Sequence, residues 1–488
     1  MPGSFVPASA ELWRFLPEII LTLAGTFLMV LAPLVRDRRQ NALGYVAAYL
    51  FFAALAAALA AHLDPGPAFQ GLLVIDGFAT FFRVLVIVVG LFTVLISFPY
   101  LGREHADRGE YYALLMFSVV GQCLMVASGD LIMLFIGLEI SSISSYVLAG
   151  FLRRRPQAVE AALKYFLLGS FATAIMLFGV AWIYGMTGST SLMEIRNGVL
   201  KLGQPGSVFL AAAAVALIFA GFAFKVSAWP FQVWAPDVYE GAPAPVVGFL
   251  SAGPKAAAFA ALLRVLVVGF APFSHRWEPL LWLVALGTMV VGNFAALLQN
   301  NIKRLLAYSS IAHAGYVLVA VTTHSEIGTA AVMFYLAAYA LMNIGAFALV
   351  THLGGKNEQF LNINDYAGLG ARQPAAAALF TIFLLSLIGV PPTAGFFGKF
   401  YVFRAAIRAD LIWLTVLGLL LSAVAAYYYL RIIVVMYMRE PKNGVAEAPP
   451  LSGALGAVVW VTALGTILLG IWPSLVLRAA TEWALLVR

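Results

Sequence analysis

Three lysines, one glutamate and one histidine interrupt stretches that are otherwise almost wholly apolar. They are Glu139 in LFIGLEISSISSYVL, Lys225 in FAFKVSAWPFQVWAP, Lys255 in SAGPKAAAFAALLRV, Lys399 in GFFGKFYVF and His313 in SSIAHAGYVL. A charge at the centre of a bilayer costs at least ~3 kcal/mol on insertion scales, so such a residue faces a cavity, pairs with another charge or gives its charge up. Burial weakens the hold of a lysine on its proton and a nearby carboxylate restores it. At 4 Å and an effective dielectric near 20 that attraction is ~4 kcal/mol, worth about three pKa units. A carboxylate moving towards or away from a buried lysine therefore loads or unloads a proton near neutral pH. Arginine stays protonated and cannot do this, so lysine at three central positions favours proton handling, led by Lys225 and Glu139, over a static ion pair that locks packing. His313 suits a relay because imidazole titrates near neutrality, although a lone histidine in a packed helix serves equally as a plain hydrogen-bond partner. Ser141, Ser142, Ser144, Ser145, Ser309 and Ser310 line water or simply let helices approach. Lys164 and Arg431 lie close enough to span ends to snorkel; Arg83 and Arg264 are intermediate.

These residues must be positioned by membrane helices. Of 488 residues, 62% are hydrophobic and 10% charged, with mean hydropathy +0.94, whereas a soluble chain carries about a quarter charged residues. Apolar runs long enough to cross about 30 Å of hydrocarbon recur near 15–35, 42–62, 76–97, 110–128, 130–152, 160–187, 207–238, 242–270, 277–298, 302–322, 326–352, 374–410, 411–438 and 451–472. The fold class is an all-α polytopic membrane protein of about fourteen spans. An even number puts both termini on one side. RDRR (36–39), RRR (153–155), Lys303, Arg304, Lys356, Arg372, Arg439 and Lys442 fall on the other, with about 14 loop Lys/Arg against about 7, which makes it the cytoplasmic side. SLMEIRNGVL (191–200) and PSLVLRAATEWALLV (473–487) read as helices lying in the membrane surface. The N-terminus lacks the basic stretch of a signal peptide, so the first apolar run reads as a retained helix.

The seventh span, with Pro230 and Pro236, and the twelfth, with GVPPTAGFFGKF (389–400), are overlong and broken by proline. Each stands fourth in a block of five spans, and a shift of five reverses orientation, as in an inverted-topology repeat. Proline frees helical carbonyls, and at membrane depth these must meet protein or water. The chain divides accordingly into 1–109 (spans 1–3), 110–270 and 271–438 (the two repeats) and 439–488 (span 14 and the surface helix). A single cysteine, Cys123, excludes a disulfide framework, a thiolate zinc site and an iron–sulfur cluster held by this chain alone. The six scattered histidines do not make a cytochrome. Basic residues in short loops, rather than on an aromatic-rich patch, argue against nucleic acid as a partner.

GDLIMLFIGLEISSISSYVL (129–148), FKVSAWPFQVWAPDVYEGAPAPV (224–246), NIKRLLAYSSIAHAGYVLV (301–319) and GVPPTAGFFGKFYVF (389–403) resemble the antiporter-like membrane-arm subunits of respiratory complex I (NADH-quinone oxidoreductase), the subunit N family in particular. The resemblance covers nearly the whole chain. It implies fourteen helices, two inverted five-helix repeats and proton translocation driven by quinone reduction elsewhere in the complex. By motif, Glu139 matches the fifth-helix glutamate, Lys225 the lysine of the broken seventh helix and Lys255 the eighth-helix lysine. Lys399 stands where this family has lysine and its sibling M has glutamate; sibling L would need a long lateral helix. The implied partners are the other membrane-arm subunits, including M and the small subunit K, within the lipid bilayer of a bacterial inner membrane, both termini periplasmic. The implied cofactors, NADH, FMN, iron–sulfur clusters and quinone, belong to other subunits. One departure is Gln232, where the family commonly has histidine; glutamine carries no proton. The expected sequence of events is uptake at Lys225 with Glu139 close, withdrawal of Glu139, and transfer through Lys255 and His313 to Lys399. Rival readings are a subunit of a multi-subunit cation/proton antiporter, a related hydrogenase or ferredoxin-linked complex, and an inert membrane-arm spacer.

Overall fold

A chain in hydrocarbon must satisfy each backbone N–H and C=O within the protein, and a long helix does so unaided. The computed structural model describes residues 8–35, 40–106, 108–201, 205–441, 450–451 and 453–485; the basic run 36–39 and Lys442 lie outside them. Among the described residues, thirteen helices are long and apolar enough to cross a membrane. The first three crossings are Leu16–Leu31, Gln40–Ala61 and Gly77–Arg103, and the last is Gly453–Ile471. Between them run Gly109–Ala127, Leu131–Ala149, Pro156–Thr187, Pro205–Val226 with Trp234–Gly241, and Ala244–Arg264. A second set follows: Ser274–Leu297, Ile302–Thr322, Glu326–Leu353, Pro374–Ile388 with Ala394–Arg408, and Ile412–Met438. The twelfth crossing is thus assembled from two helices too short to span alone, which completes fourteen. The two surface segments form helices Leu192–Leu200 and Ser474–Ala484.

The two sets repeat one another in detail. Asp130 caps the fifth span by accepting from the Ile132 and Met133 amides, and Asn301 caps the tenth by accepting from those of Lys303 and Arg304. Each cap pairs with the segment after the next span: Leu131 N donates to Thr190 O and Leu192 N to Gly129 O, while Ile302 N donates to Leu361 O and Ile363 N to Asn300 O. Gly121 lies against the backbone of Ser141, and Gly292 against that of Ala312. A Cβ there would stand 2.4 and 2.5 Å from the respective amide nitrogens, so these positions admit only hydrogen. One constant shift in numbering carries Gly121 to Gly292, Asp130 to Asn301 and Ser141 to Ala312. By that same shift Glu139 falls on Ser310 and Ser142 on His313.

The helix breaks are narrower than the prolines suggest. The seventh span stops at Val226, passes through Ser227–Pro230 and a single tight turn at Phe231–Val233, and resumes at Trp234. Pro236 does not interrupt it. It occupies the first turn of the second half-helix, where an amide N–H has no intrahelical partner to lose. The freed groups find protein partners: Trp234 Nε1 donates to Phe224 O at 2.9 Å and Trp229 N donates to Thr288 Oγ1 at 2.8 Å. The twelfth span breaks between Ile388 and Ala394, opening on Gly389 at φ 92°. The hydrophilic segment after the eleventh span is folded down on the bundle, with Glu358, Ile363, Tyr366 and Leu369 buried.

Candidate functional site

The fifth span carries Glu139 and, two turns on, Tyr146. The last turn of the first half of the seventh carries Lys225, which is 8% exposed. Lys225 Nζ donates to the Tyr146 hydroxyl at 3.2 Å and sits 5.1–5.5 Å from the ring centroids of Tyr146, Tyr165 and Phe224. These rings offer their negative faces to the ammonium without the fixed charge that would pin its proton. Glu139 is half-buried and makes no ion pair with Lys225; one of its carboxylate oxygens is buried without a hydrogen-bond partner. The expected pair is therefore not closed: Lys225 bonds the Tyr146 hydroxyl, carried on the same helix as Glu139, and not the carboxylate. Gln232, in the turn of the break, is buried with its Oε1 unpartnered.

Lys255 lies in the eighth span at 2% exposure. Its Nζ donates to Ser310 O at 3.1 Å and to the Ser310 hydroxyl, and the Tyr239 hydroxyl is 3.5 Å from the same oxygen. Ser310 is the counterpart of Glu139 in the second repeat, and there the position is a hydroxyl bonded to a lysine. One turn along, His313 is 2% exposed; Nδ1 lies 2.7 Å from the Tyr335 hydroxyl and Nε2 3.2 Å from that of Tyr429, which also bonds Ser309. Both ring nitrogens thus face groups that donate or accept, which is what a relay requires. Lys399 follows, 7% exposed. It donates to Leu387 O at 3.2 Å, Ile388 O at 2.7 Å and the Ser422 hydroxyl at 2.7 Å, and stands 4.9 Å from the Tyr316 ring. The break supplies this cradle: the carbonyls that end Pro374–Ile388 have lost their helical partners and carry the negative end of the helix dipole.

The five sequence-predicted residues are buried or half-buried in the bundle, but the bonds they make do not join them into one network. Lys255 ends on Ser310, while His313 joins Tyr335 and, through Tyr429, Ser309. Lys225 with Tyr146 forms a separate group, and Glu139 touches neither. Ser142 and Ser144 bond back to Leu138 O and Ile140 O on their own helix, and Ser141 and Ser145 approach Ser118. Lys164 bonds Glu160 and Asp237 near its span end. Arg83 makes a buried pair with Glu18, and Arg264 a two-pronged one with Asp76 at 2.8 and 2.9 Å. Among the described residues, no three His, Cys, Asp or Glu side chains group to hold a metal ion.

Sequence reasoning missed the tyrosines, because Tyr146, Tyr335 and Tyr429 look like ordinary membrane aromatics. It also missed Glu358, which sits in a segment that reads as a solvated loop. The Glu358 carboxylate is buried and accepts from Tyr100 Oη at 2.6 Å, Ala244 N at 2.7 Å and Lys303 Nζ at 2.7 Å, with Arg155 at 3.6 Å. Burial by itself would raise its pKa, but the Lys303 ammonium and the Arg155 guanidinium hold it below the usual carboxylate range. Lys303 Nζ also donates to Ala242 O at 2.6 Å. One acid thus ties the third, eighth and tenth spans together beside a 400 Å³ cavity lined by Arg154, Arg155, Glu240 and Asn301. Nothing in the sequence marks it, since partners from four separate segments converge only on folding.

A family profile described as NADH:quinone oxidoreductase/Mrp antiporter, TM matches residues 128–425. NADH-quinone oxidoreductase subunit N 1 of Solibacter usitatus is 62% identical over 484 residues, 99% of either chain. NADH-quinone oxidoreductase subunit N of Trichlorobacter lovleyi is 44% identical over 96% of either chain. Among solved structures, a chain of respiratory complex I from Thermus thermophilus with bound aureothin superposes with a TM-score of 0.81 at 36% identity, covering 95% of this chain and 99% of that one.

Proposed function

Because this chain belongs to the NADH:quinone oxidoreductase/Mrp antiporter transmembrane family, we propose that it is a proton-translocating subunit of the membrane arm of NADH-quinone oxidoreductase, with Glu139, Lys225, Lys255, His313 and Lys399 as its proton-transfer groups. It is a multi-pass membrane protein and works as one subunit of an enzyme complex, beside other membrane-arm subunits. NADH, FMN, iron–sulfur clusters and quinone belong to those other subunits. Residues 110–270 and 271–438 act as the two repeats, in a bacterial inner membrane with both termini periplasmic, as the basic loops suggest.

The observation that carries this reading is the hydroxyl-linked core, in which Lys255 ends on Ser310 and His313 is bonded on both nitrogens one turn away. Hydroxyls pass protons by giving one and taking one, so partners of this kind suit proton transfer, and they offer a metal cation no carboxylate. Lys225 takes up a proton when Glu139 swings in to stabilise the ammonium. It releases the proton when movement of adjoining subunits draws the carboxylate away, because the aromatic surroundings alone hold the charge weakly. The proton then crosses to Lys255, passes His313 and leaves through Lys399, whose carbonyl cradle accepts an ammonium.

The test is Lys225→Ala in the assembled complex reconstituted into vesicles. NADH-driven acidification of the lumen is expected to fall to background, with subunit composition intact. Acidification at the rate of the unsubstituted complex refutes the assignment.

A further inference from the structure

Lys255, at the end of the first repeat, and His313, in the second, are each bonded to hydroxyls, yet those hydroxyls do not close into one chain. Lys255 ends on Ser310, whereas His313 is held by Tyr335 and Tyr429. Ser310 and His313, three residues apart on one helix, share a face, and Tyr339 of the eleventh span packs against it. The Tyr339 and His313 ring centroids are 5.2 Å apart. The Tyr339 hydroxyl faces Ser310 without closing a hydrogen bond and has no other partner, although the side chain is 2% exposed. A buried polar group left unpaired costs about 1–3 kcal/mol, and folded proteins keep few of them. One turn along the same helix a second one stands: Asn343 Oδ1 is buried and unpartnered, while Nδ2 donates to Ser251, one turn from Lys255. Two unpaired polar atoms thus stand one turn apart on the eleventh span, one on the ring beside His313 and one on a side chain bonded to the helix of Lys255.

The geometry points to Tyr339 as the proton-transfer group that joins the Lys255–Ser310 pair to His313. This assignment deepens the proton-translocating reading and rests on it. The step balances. The Lys255 ammonium gives a proton to Ser310 Oγ, which releases its own to Tyr339 Oη. Tyr339 releases its original proton to the hydroxyl of Tyr335, one turn away on the same helix, and Tyr335 in turn protonates His313 Nδ1. Lysine ends as the neutral amine and histidine as the imidazolium, and each hydroxyl has regained one proton for the one it gave.

Tyr339→Phe in the assembled complex tests this directly, since it keeps the ring and deletes only the hydroxyl that faces Ser310 without a closed hydrogen bond. A structural role for that oxygen predicts unchanged pumping and unchanged or higher thermal stability. The assignment predicts that proton translocation falls about tenfold or more, with a larger rate ratio between H2O and D2O in what remains. Translocation at the unsubstituted rate in assembled Tyr339→Phe complex overturns it. Lys255→Ala, measured in parallel, separates the levels: if that variant pumps normally, the proton-translocating reading fails as well. If it is inactive while Tyr339→Phe pumps, only Tyr339 is wrongly assigned. Should Tyr339→Phe not assemble, 3-fluorotyrosine at 339, a more acidic phenol, is expected to move the alkaline limb of the pumping profile to lower pH; an unmoved profile overturns the assignment.

Discussion

Lys255 shows what a single residue contributes here. Its ammonium is buried and satisfied by one serine, through a hydroxyl and a carbonyl, with no carboxylate bonded to it. A group so placed meets hydroxyl and carbonyl oxygens rather than a fixed negative charge, the setting a proton carrier needs. Arginine would fill much the same volume and keep its charge at any working pH. Lys255→Arg is therefore expected to leave the complex assembled while proton translocation in vesicles drops at least about tenfold; Lys255→Arg complex that pumps as before would mean the residue is only a buried cation. Glu139 poses the complementary case. Its unpartnered carboxylate oxygen means that Glu139→Gln removes charge without breaking an observed bond, so stability is expected to hold while translocation is lost. Thermal melting of the complex and vesicle acidification, measured on one preparation, check both halves of that statement.

Elements position these groups by failing to be continuous helices. Lys225 occupies the end of the half-helix before its break, and Lys399 lies in the half-helix after its own, so the two lysines are held by different chemistry: aromatic faces in one case, released carbonyls in the other. Gly389 makes the second cradle possible. It sits at φ 92°, where L side chains are strained, and an added Cβ would stand 3.1 Å from Lys399 Cδ. Gly389→Ala is expected to cost about 1–2 kcal/mol in backbone strain and to push the lysine stem out of its cradle, lowering translocation. Gly389→Asn tolerates the backbone conformation better but still crowds Lys399. A larger thermal loss for alanine than for asparagine, with translocation impaired in both, is the expected pattern; equal pumping in all three forms would show that the cradle is dispensable.

At the scale of the molecule, Glu358 binds the halves together. It collects Tyr100 from the third span, Arg155 from the loop after the fifth, Ala244 at the start of the eighth and Lys303 at the start of the tenth, so the helices bearing Lys255 and His313 share one anchor. Lys303 and Arg155 keep its pKa below the ordinary carboxylate value, so the sign of the pH effect follows. The stabilisation is fully present above the unfolded glutamate value, about 4.3, and is lost as pH falls through the lower folded value. Backbone hydrogen exchange in segment 354–362, corrected for intrinsic rates, is expected to stay level from about pH 8 to pH 5 and to rise below about pH 4. In Glu358→Gln the segment should exchange faster at every pH, because Lys303 then lies buried without a counter-charge, which costs about 3–5 kcal/mol. Pull-down of the chain from mild detergent is expected to bring flavin and iron–sulfur proteins with it, a result that a stand-alone cation antiporter would not give.

Much of this was legible in the order of residues. The length and spacing of apolar runs point to about fourteen helical crossings, since a continuous helix satisfies its own backbone in lipid. The two prolyl breaks five spans apart disclose the inverted repeat, and a lysine or glutamate in mid-span declares itself by its cost. Pro236 was misleading because proline is harmful inside a helix and harmless in its first turn, a distinction that depends on where the helix restarts. Pairing was beyond the sequence. That Lys225 meets Tyr146 before Glu139, that Ser310 stands at the register of Glu139, and that Glu358 gathers four distant segments all depend on side chains brought together across hundreds of residues. Periodicity speaks of one helix at a time, and proton transfer is decided by ångströms between different ones.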